Sequence, residues 1–272
     1  MNGFEKELKE RILNVIPHAS IYGLSPIQDW KQVELNLRED KNIEGISPYI
    51  ETEALIKSKS SVVGARINGV DSKKDKSVSV INEFIELGDL SEIEQGDKII
   101  LGYILARKLN VGLGDKVSLL LPDSNASFAG YFPKSKTFQI GGIFNVGSKE
   151  LDEVLAYISL ENAASLTGLK DKIHGFRIKY ENLFDAPYLV WQSLIFAEKD
   201  LINLLNAEDW SYTYGPLFEA IMMEKSLVLL LLFLIIIVAA FNIVSMLMML
   251  INEKRGQIAI LQTMGMTNLE IY

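Results

Sequence analysis

The sequence predicts an α+β domain followed by one transmembrane helix. Three observations predict it. Ser226 to Ile251 contains no charged side chain, and about 20 apolar residues in a helix suffice to cross a bilayer core. Residues 1–225 instead alternate short runs of strand formers with helix-periodic stretches, the pattern of a sheet packed against helices. Within them, residues 77–167 hold a helix, a glycine-rich turn and two strands, and read as an inserted, mainly β unit.

The apolar run is the simplest element to justify. At about 1.5 Å per residue it reaches ~39 Å, more than the ~30 Å hydrocarbon core, so it should tilt or project into the headgroups. A buried helix of a soluble fold would be shorter and carry a polar stripe. Glu224 and Lys225 cancel before the run, whereas Glu253, Lys254 and Arg255 leave one positive charge after it. Counting Lys and Arg alone, the Lys254 side is cytoplasmic and the large domain lies outside. No signal peptide follows Met1, so the expectation is a truncated chain. Phe4, Leu8, Ile12, Leu13 and Ile16 recur at helical spacing, either as the continuation of a missing first transmembrane helix or as a surface helix.

Composition excludes several classes. A formal net charge of −8 argues against nucleic acid, which demands a basic footprint. The absence of cysteine rules out a disulfide framework and a thiolate metal site.

In chain order, the reading begins with a strand at Ala19 to Tyr22 and a helix from Pro26 to Arg38, with Gly23 and Ser25 at the boundary. Extended segments follow at Ser47 to Leu55 and Ser60 to Val70, closed by the polar break Asp71 to Lys76. A helix is expected at Ile99 to Leu109, then a turn over Val111 to Lys116 into strands Val117 to Leu121 and Thr137 to Phe144. Near the far end come a strand at Gly175 to Tyr180, a helix at Tyr188 to Asn206, and extended structure around Trp210 to Tyr214. Residues 18–76 and 168–215 thus form one α+β subdomain around the insertion at 77–167.

Two segments carry functional signals. The connection from Pro122 to Lys136 is long for a hairpin, and such loops tend to be functional or disordered. It holds Phe128, Tyr131 and Phe132 between Pro122 and Pro133, so it either binds a partner or folds back on its own domain. The second segment follows the apolar run. A short helix fits Gln257 to Met264, Gly265 is placed to end it, and Thr267 to Glu270 is a capping box opening another helix. Such a helix offers a lever to a cytoplasmic partner, or rests on lipid headgroups.

Catalytic readings fail. Gly64 to Gly69 has the glycine spacing of a phosphate loop, but Val70 and Asp71 stand where Lys and Ser or Thr are required. His18 and His174 lack a second ligand at metal spacing and read as structural. Glu92, Glu94 and Asp97 read as a solvated acidic face, and Asn125-Ala126-Ser127 is a glycosylation pattern without a known host. No catalytic, cofactor or metal residues are expected.

The stretches Met1-Asn2-Gly3-Phe4-Glu5, Val15-Ile16-Pro17-His18-Ala19, Phe218-Glu219-Ala220, Ala239-Ala240-Phe241-Asn242-Ile243 and Glu253 to Thr263 resemble the lipoprotein-releasing ABC transporter permeases of the LolC/LolE type. The resemblance covers essentially the whole chain. It implies a four-helix permease of the bacterial inner membrane with a large periplasmic, porter-like domain, from which the first helix and everything after the cytoplasmic turn are missing. Residues 1–17 and 216–225 become stalk segments, 226–251 the transmembrane helix, and 253–272 a coupling helix with the start of the next helix. The implied partners are a LolD-type ATPase, a second permease subunit (LolE-like, or a second copy as a homodimer), a LolA-type periplasmic carrier, lipoprotein substrates and membrane lipid.

The resemblance also assigns sites. A proline-bounded hook that grips the carrier would span residues 122–133, using Pro122, Phe128, Tyr131, Phe132 and Pro133, with Lys134 and Lys136 as a basic patch beside it. Ser118 stands where the LolC pattern has Arg. Ala239, Ala240, Asn242 and Ser245 would face the dimer or substrate cavity. Glu253, Lys254, Arg255, Gln257, Ile258, Leu261, Gln262, Met264 and Gly265 would engage the ATPase. An efflux permease of the MacB type and an FtsX-like signalling subunit acting on a cell-wall hydrolase are the alternatives.

Overall fold

The computed structural model describes residues 15–121, 134–197 and 205–265. Two compact units emerge, residues 1–213 and 214–272.

In the first unit the strands are β1 (Ala19–Ile27), β2 (Ile43–Lys57), β3 (Val62–Val70), β4 (Ile85–Gly88), β5 (Lys98–Gly102), β6 (Lys116–Leu121), β7 (Lys134–Phe144), β8 (Leu155–Ser159), β9 (Ile173–Tyr180) and β10 (Leu205–Asp209). The helices are α1 (Trp30–Leu37), α2 (Ser72–Asp75), α3 (Tyr103–Leu109), α4 (Lys149–Val154), α5 (Leu160–Thr167) and α6 (Ala186–Ala197). One mixed sheet takes the order β10-β1-β9-β2-β3-β8-β5-β7-β4, with β6 joining β2 to β7. Among the described residues, only β3 with β8 and β5 with β7 run parallel.

Following the pairings reveals a closure. β2 pairs β3, β3 pairs β8, β8 pairs β5, β5 pairs β7, β7 pairs β6, and β6 returns to β2 through Leu55↔Leu120, Ile56↔Leu119 and Lys57↔Ser118. The ring leaves no unpaired edge between those strands. Its interior is filled by Ile56, Ile67, Ile99, Val117, Leu119, Phe138 and Ile140, all fully buried or nearly so. The expected boundaries at 76/77 and 167/168 cut through this ring, because β2 and β3 serve both halves. β2 is long enough to do so: Ile43–Tyr49 pairs β9, and its last three residues pair β6.

Several sequence expectations shift for local reasons. β1 continues through Pro26 and Ile27, so α1 starts only at Trp30. Ile99 to Leu101 are strand, not helix: the β-branched pair Ile99-Ile100 takes a fully buried slot between β7 and β8. α3 then ends at Asn110, whose φ of 53° is left-handed. Leu205 and Asn206 are strand, pairing Gly23 and Tyr22, and Trp210 opens a helix where extended structure was expected. The polar break at 71–76 contains α2, capped by the Asp71 carboxylate, which accepts from Lys73 N–H and Lys74 N–H. The strands expected at 47–55, 117–121, 137–144 and 175–180 lie within β2, β6, β7 and β9, and the one expected at 60–70 is β3, which starts two residues later.

Of the two glycines that mimic a phosphate loop, Gly64 faces open space and Gly69 has a packing role. Gly69 lies in β3 under α5, where a Cβ would come within 2.1 Å of the Ala163 Cβ. A phosphate cradle would need a turn there, and the segment is flat strand.

Buried polar groups pin the sheet. The Arg177 guanidinium lies 3.6 Å from the Asp75 carboxylate, which is fully buried, and donates to Asn68 Oδ1 at 2.7 Å. Burial pushes the Asp75 carboxyl up, opposed by the Arg177 charge. Removing one partner from such a pair strands a charge in the core, a loss of about 3–5 kcal/mol. At the base of the unit, His18 Nδ1 accepts the Tyr180 N–H at 3.2 Å while its carbonyl accepts the Trp210 N–H at 3.1 Å. His174 Nδ1 likewise accepts the Glu51 N–H at 3.1 Å. Both rings therefore have the structural role the sequence suggests.

In the second unit, α7 (Trp210–Thr263) is one continuous helix with Pro216 near its start. Its most apolar window has a mean hydropathy of 3.3 and no buried side chains. That is long and apolar enough to cross a membrane.

His18 makes acid stability testable. Burial, reinforced by the Lys179 charge, lowers its pKa to about 4. The unfolded chain therefore binds a proton that the folded chain refuses between pH ~6.5 and ~4. Stability from this group is complete above pH ~6.5 and falls as the pH drops toward ~4, by on the order of 3 kcal/mol in all. His18→Asn keeps an acceptor for Tyr180 and cannot titrate. Melting of both proteins from pH 7 to 4 should show the native chain losing stability relative to the variant; parallel curves would refute this role.

Candidate functional site

The hairpin of β6 and β7 delivers the loop that the sequence singles out. Leu121 pairs with Lys134 at its end, and residues 122–133 connect these two positions in the chain. Pro122, Phe128, Tyr131, Phe132, Pro133 and the pattern Asn125-Ala126-Ser127 lie outside the described residues, as do residues 1–14 and the capping box after Met266.

The described residues at the hairpin base are informative. Lys134 is exposed and forms no ion pair among the described residues. Lys136 is only partly exposed and is engaged: its ammonium lies 2.7 Å from Asp97 Oδ1 and donates to Asn162 Oδ1 at 2.6 Å. Ser118 faces Thr137, with the hydroxyls 3.2 Å apart. Two hydroxyls thus face each other across the strands at this position. Beside the base, Leu55, Ala65, Leu120, Leu121 and Val154 line a mainly apolar cleft of about 520 Å³, rimmed by Glu53 and Arg66. Leu55 is 48% exposed there, although it lies in a strand.

Glu94 and Asp97 of the acidic cluster are exposed, as expected, and Glu92 is partly so, but each carboxylate is engaged. Asp97 pairs with Lys136, Glu92 with Lys98, and Glu94 accepts the Ser72 N–H at 2.9 Å. Sequence spacing alone conceals this, because each partner comes from a distant or differently facing segment. A Lys on the inward alternation of a strand, two residues before Phe138, was the available signal.

On α7, Ala239, Asn242 and Ser245 follow at intervals of three and share a helical face with Ala240 beside it, all exposed. The small side chains leave room for a second helix, and an amide in hydrocarbon costs several kcal/mol unless hydrogen-bonded. Further along, the expected separate helix at 257–264 is the last part of α7 instead. Residues 252–257 interpose only Gly256 as a weak helix former, so the helix passes through. It ends where expected: Gly265 has φ of 95° and its N–H donates to the Gln262 carbonyl at 3.1 Å. Lys254 donates to Gln257 Oε1 at 3.1 Å, while Ile258, Leu261 and Met264 recur along one edge.

A cleft of about 940 Å³ lies between α1, α5 and the turn at 170–173, lined by Trp30, Gln32, Asn36 and Lys172 and reaching Glu94 of the acidic cluster.

Comparison with known proteins fits this arrangement. Residues 229–272 match the family described as FtsX-like permease C-terminal. Over 98% of its length the chain is 34% identical to the lipoprotein-releasing system transmembrane protein LolC of Neisseria meningitidis and covers 64% of that protein. It is 32% identical to LolC of Xylella fastidiosa over 98% of this chain and 64% of that one, and 31% identical to LolE of Haemophilus influenzae over 98% and 65%. The chain thus spans just under two thirds of the length of these relatives. Among solved structures, the periplasmic region of MacB from Actinobacillus actinomycetemcomitans aligns with 79% of this chain and 98% of its own, at 12% identity and a TM-score of 0.49. Over almost its whole length, the chain is similar to transmembrane proteins of the LolC/LolE type.

Proposed function

We propose that this chain is part of a permease subunit that extracts lipoproteins from the bacterial inner membrane and passes them to a periplasmic carrier. ATP hydrolysis belongs to a separate, LolD-type subunit, and the large domain is periplasmic. The observation that carries the reading is a single chain, 34% identical over almost its whole length to a lipoprotein-releasing system protein, that joins an α+β domain with an aromatic, proline-bounded hairpin loop to a membrane-length helix. Neither an efflux permease nor a signalling subunit accounts for that loop as well. The second permease subunit is LolE-like or a further copy of this chain.

Binding of a LolA-type carrier runs through residues 122–133. Phe128, Tyr131 and Phe132 supply apolar area at small entropic cost, as aromatic anchors do. The cleft beside Leu120 and Leu121 and the exposed Lys134 flank that contact. Phe128→Ala should weaken carrier binding by about 1–3 kcal/mol. Calorimetric titration of purified carrier into the full-length permease checks it, and equal affinities would remove the hook assignment.

Within the bilayer, Asn242 faces a protein partner or bound lipoprotein rather than lipid, and Ala239, Ala240 and Ser245 permit the close approach. Asn242→Cys should crosslink to the partner subunit or to substrate. Labelling of that cysteine only by probes dissolved in lipid would contradict the placement.

At the cytoplasmic end, Gln257, Ile258, Leu261, Gln262 and Met264 dock on the ATPase, with Glu253, Lys254 and Arg255 at the rim and Gly265 ending the helix. Leu261→Asp places a charge in an apolar contact. It should detach the ATPase or uncouple hydrolysis from release, while the periplasmic domain still binds carrier. Should the ATPase co-purify with undiminished lipoprotein-stimulated turnover, the segment instead rests on lipid.

A further inference from the structure

The outer face of α6 is apolar where a solvated helix would be polar. Ala186, Val190, Ser193 and Ala197 recur at helical spacing and are buried, on the side where α6 packs against β10 and β1. The small side chains are inside. Larger ones lie outside: Tyr188 is 71%, Trp191 54% and Ile195 72% exposed, again at intervals of three and four. Among the described helices of the large unit, α6 alone carries no charged residue. A helix that is apolar all round is normally covered on every side.

This face cannot roll inward. Ser193 Oγ donates to Asp40 Oδ2 at 2.6 Å and lies 2.9 Å from the Tyr180 hydroxyl, all three residues being buried, so rotation of the helix would leave polar groups unsatisfied in the core. Just ahead of α6, the Leu183 carbonyl accepts the Trp210 Nε1–H at 2.9 Å, which fixes its start.

Area and charge decide what covers it. With Phe196, and with Leu35 of the neighbouring α1, the exposed side chains present on the order of 500 Å² of apolar surface. An interface of standard size buries about 800 Å² on each partner, about 65% of it apolar between identical chains. The face therefore supplies the apolar core of such a contact by itself. A formal net charge of −8 makes two copies repel over most of their surface, and α6 is where like meets like without a charge. A lipid surface fits less well, because helices that lie on headgroups carry Lys or Arg along their polar face, and α6 has neither.

We infer that two copies of this chain pair through α6, outer face against outer face across a twofold axis, with Trp191 at the centre. The second permease subunit is then a further copy. For that subunit the pairing rests on the permease reading, and it is independent of the carrier segment.

Crosslinking in membranes tests it. This chain has no cysteine of its own. The full-length permease is prepared as Trp191→Cys, as Trp191→Cys with Ile195→Asp, and as Leu87→Cys, a comparably exposed position in β4 at the other end of the strand order. Membranes are oxidised mildly and resolved without reductant. Trp191→Cys should form a covalent dimer of two permease copies whichever way the helices run, since the central position lies nearest the axis. Leu87→Cys should form none, and Ile195→Asp should abolish the link at 191. Ile195→Asp alone should melt with the native chain, as exposed substitutions do. Equal yields at 191 and 87, an undiminished link in the Ile195→Asp variant, a link from 191 to a different protein, or labelling of 191 only by probes dissolved in lipid would each overturn the inference. Co-purification of a LolD-type ATPase is read from the same membranes. A native chain without that ATPase counts against the permease reading, whereas a bound ATPase with no link at 191 removes this inference alone.

Discussion

Three backbone pairs, Leu55↔Leu120, Ile56↔Leu119 and Lys57↔Ser118, govern the architecture of the large unit. Without them β6 would be an edge and the β6–β7 hairpin would be held only from the β7 side, through β4 and β5. With them, the sheet closes on itself and the hairpin is held from both sides. The closure needs a strand long enough to serve two neighbours in succession, and β2 is that strand. Its interior partners, Ile56 and Leu119, are both fully buried, so the register is set by burial: a slip of one residue would expose the apolar set.

The two chain stems are then fastened to this sheet by backbone bonds. Ala19 pairs Asp209 and the His18 carbonyl takes the Trp210 N–H, so the segment entering the sheet and the one leaving it are joined at a single point. Val15 is separately tied, through its carbonyl, to the buried Ser79 hydroxyl at 2.7 Å. Val15 packs in a second apolar cluster with Ile81, Ile100 and Phe144, while Ala19 and Ala207 belong to the main one. Phe144 ends β7, whose other end is Lys134. The rigid strand therefore runs from the cluster that grips one stem to the base of the hairpin, a span of about 33–36 Å at strand rise.

What the sequence discloses follows from what is local. The apolar run needs no tertiary context, since charge and length alone identify it. Strands rich in β-branched or aromatic residues, such as β3 with Val62, Val63, Ile67 and Val70 and β9 with Ile173, Phe176, Ile178 and Tyr180, are legible for the same reason. Ile99 to Leu101 are ambiguous because a short fully apolar run suits either a buried strand or a helix, and the decision comes from β7 and β8 on its flanks. The division at residues 76/77 misleads because chain order suggests an insertion where strand pairing makes a ring. Of the candidate site, the loop is conspicuous in sequence, but the pairing of Lys136 with Asp97 links residues that no short-range pattern connects.

The continuity of α7 carries a mechanical consequence. A short helix set off by a turn would transmit only what its turn allows, whereas an unbroken helix moves as one body along its axis and resists bending over several turns. Pro216 removes one backbone donor near the start, which leaves that turn as the place where bending costs least. From there to Thr263 no further proline intervenes. Force applied at Leu261 would therefore reach the segment around Asn242 without loss at an intervening joint. The helix stops at Gly265, where a left-handed residue costs nothing. Any hinge between this helix and the chain that follows it is set at that glycine, not at Gly256.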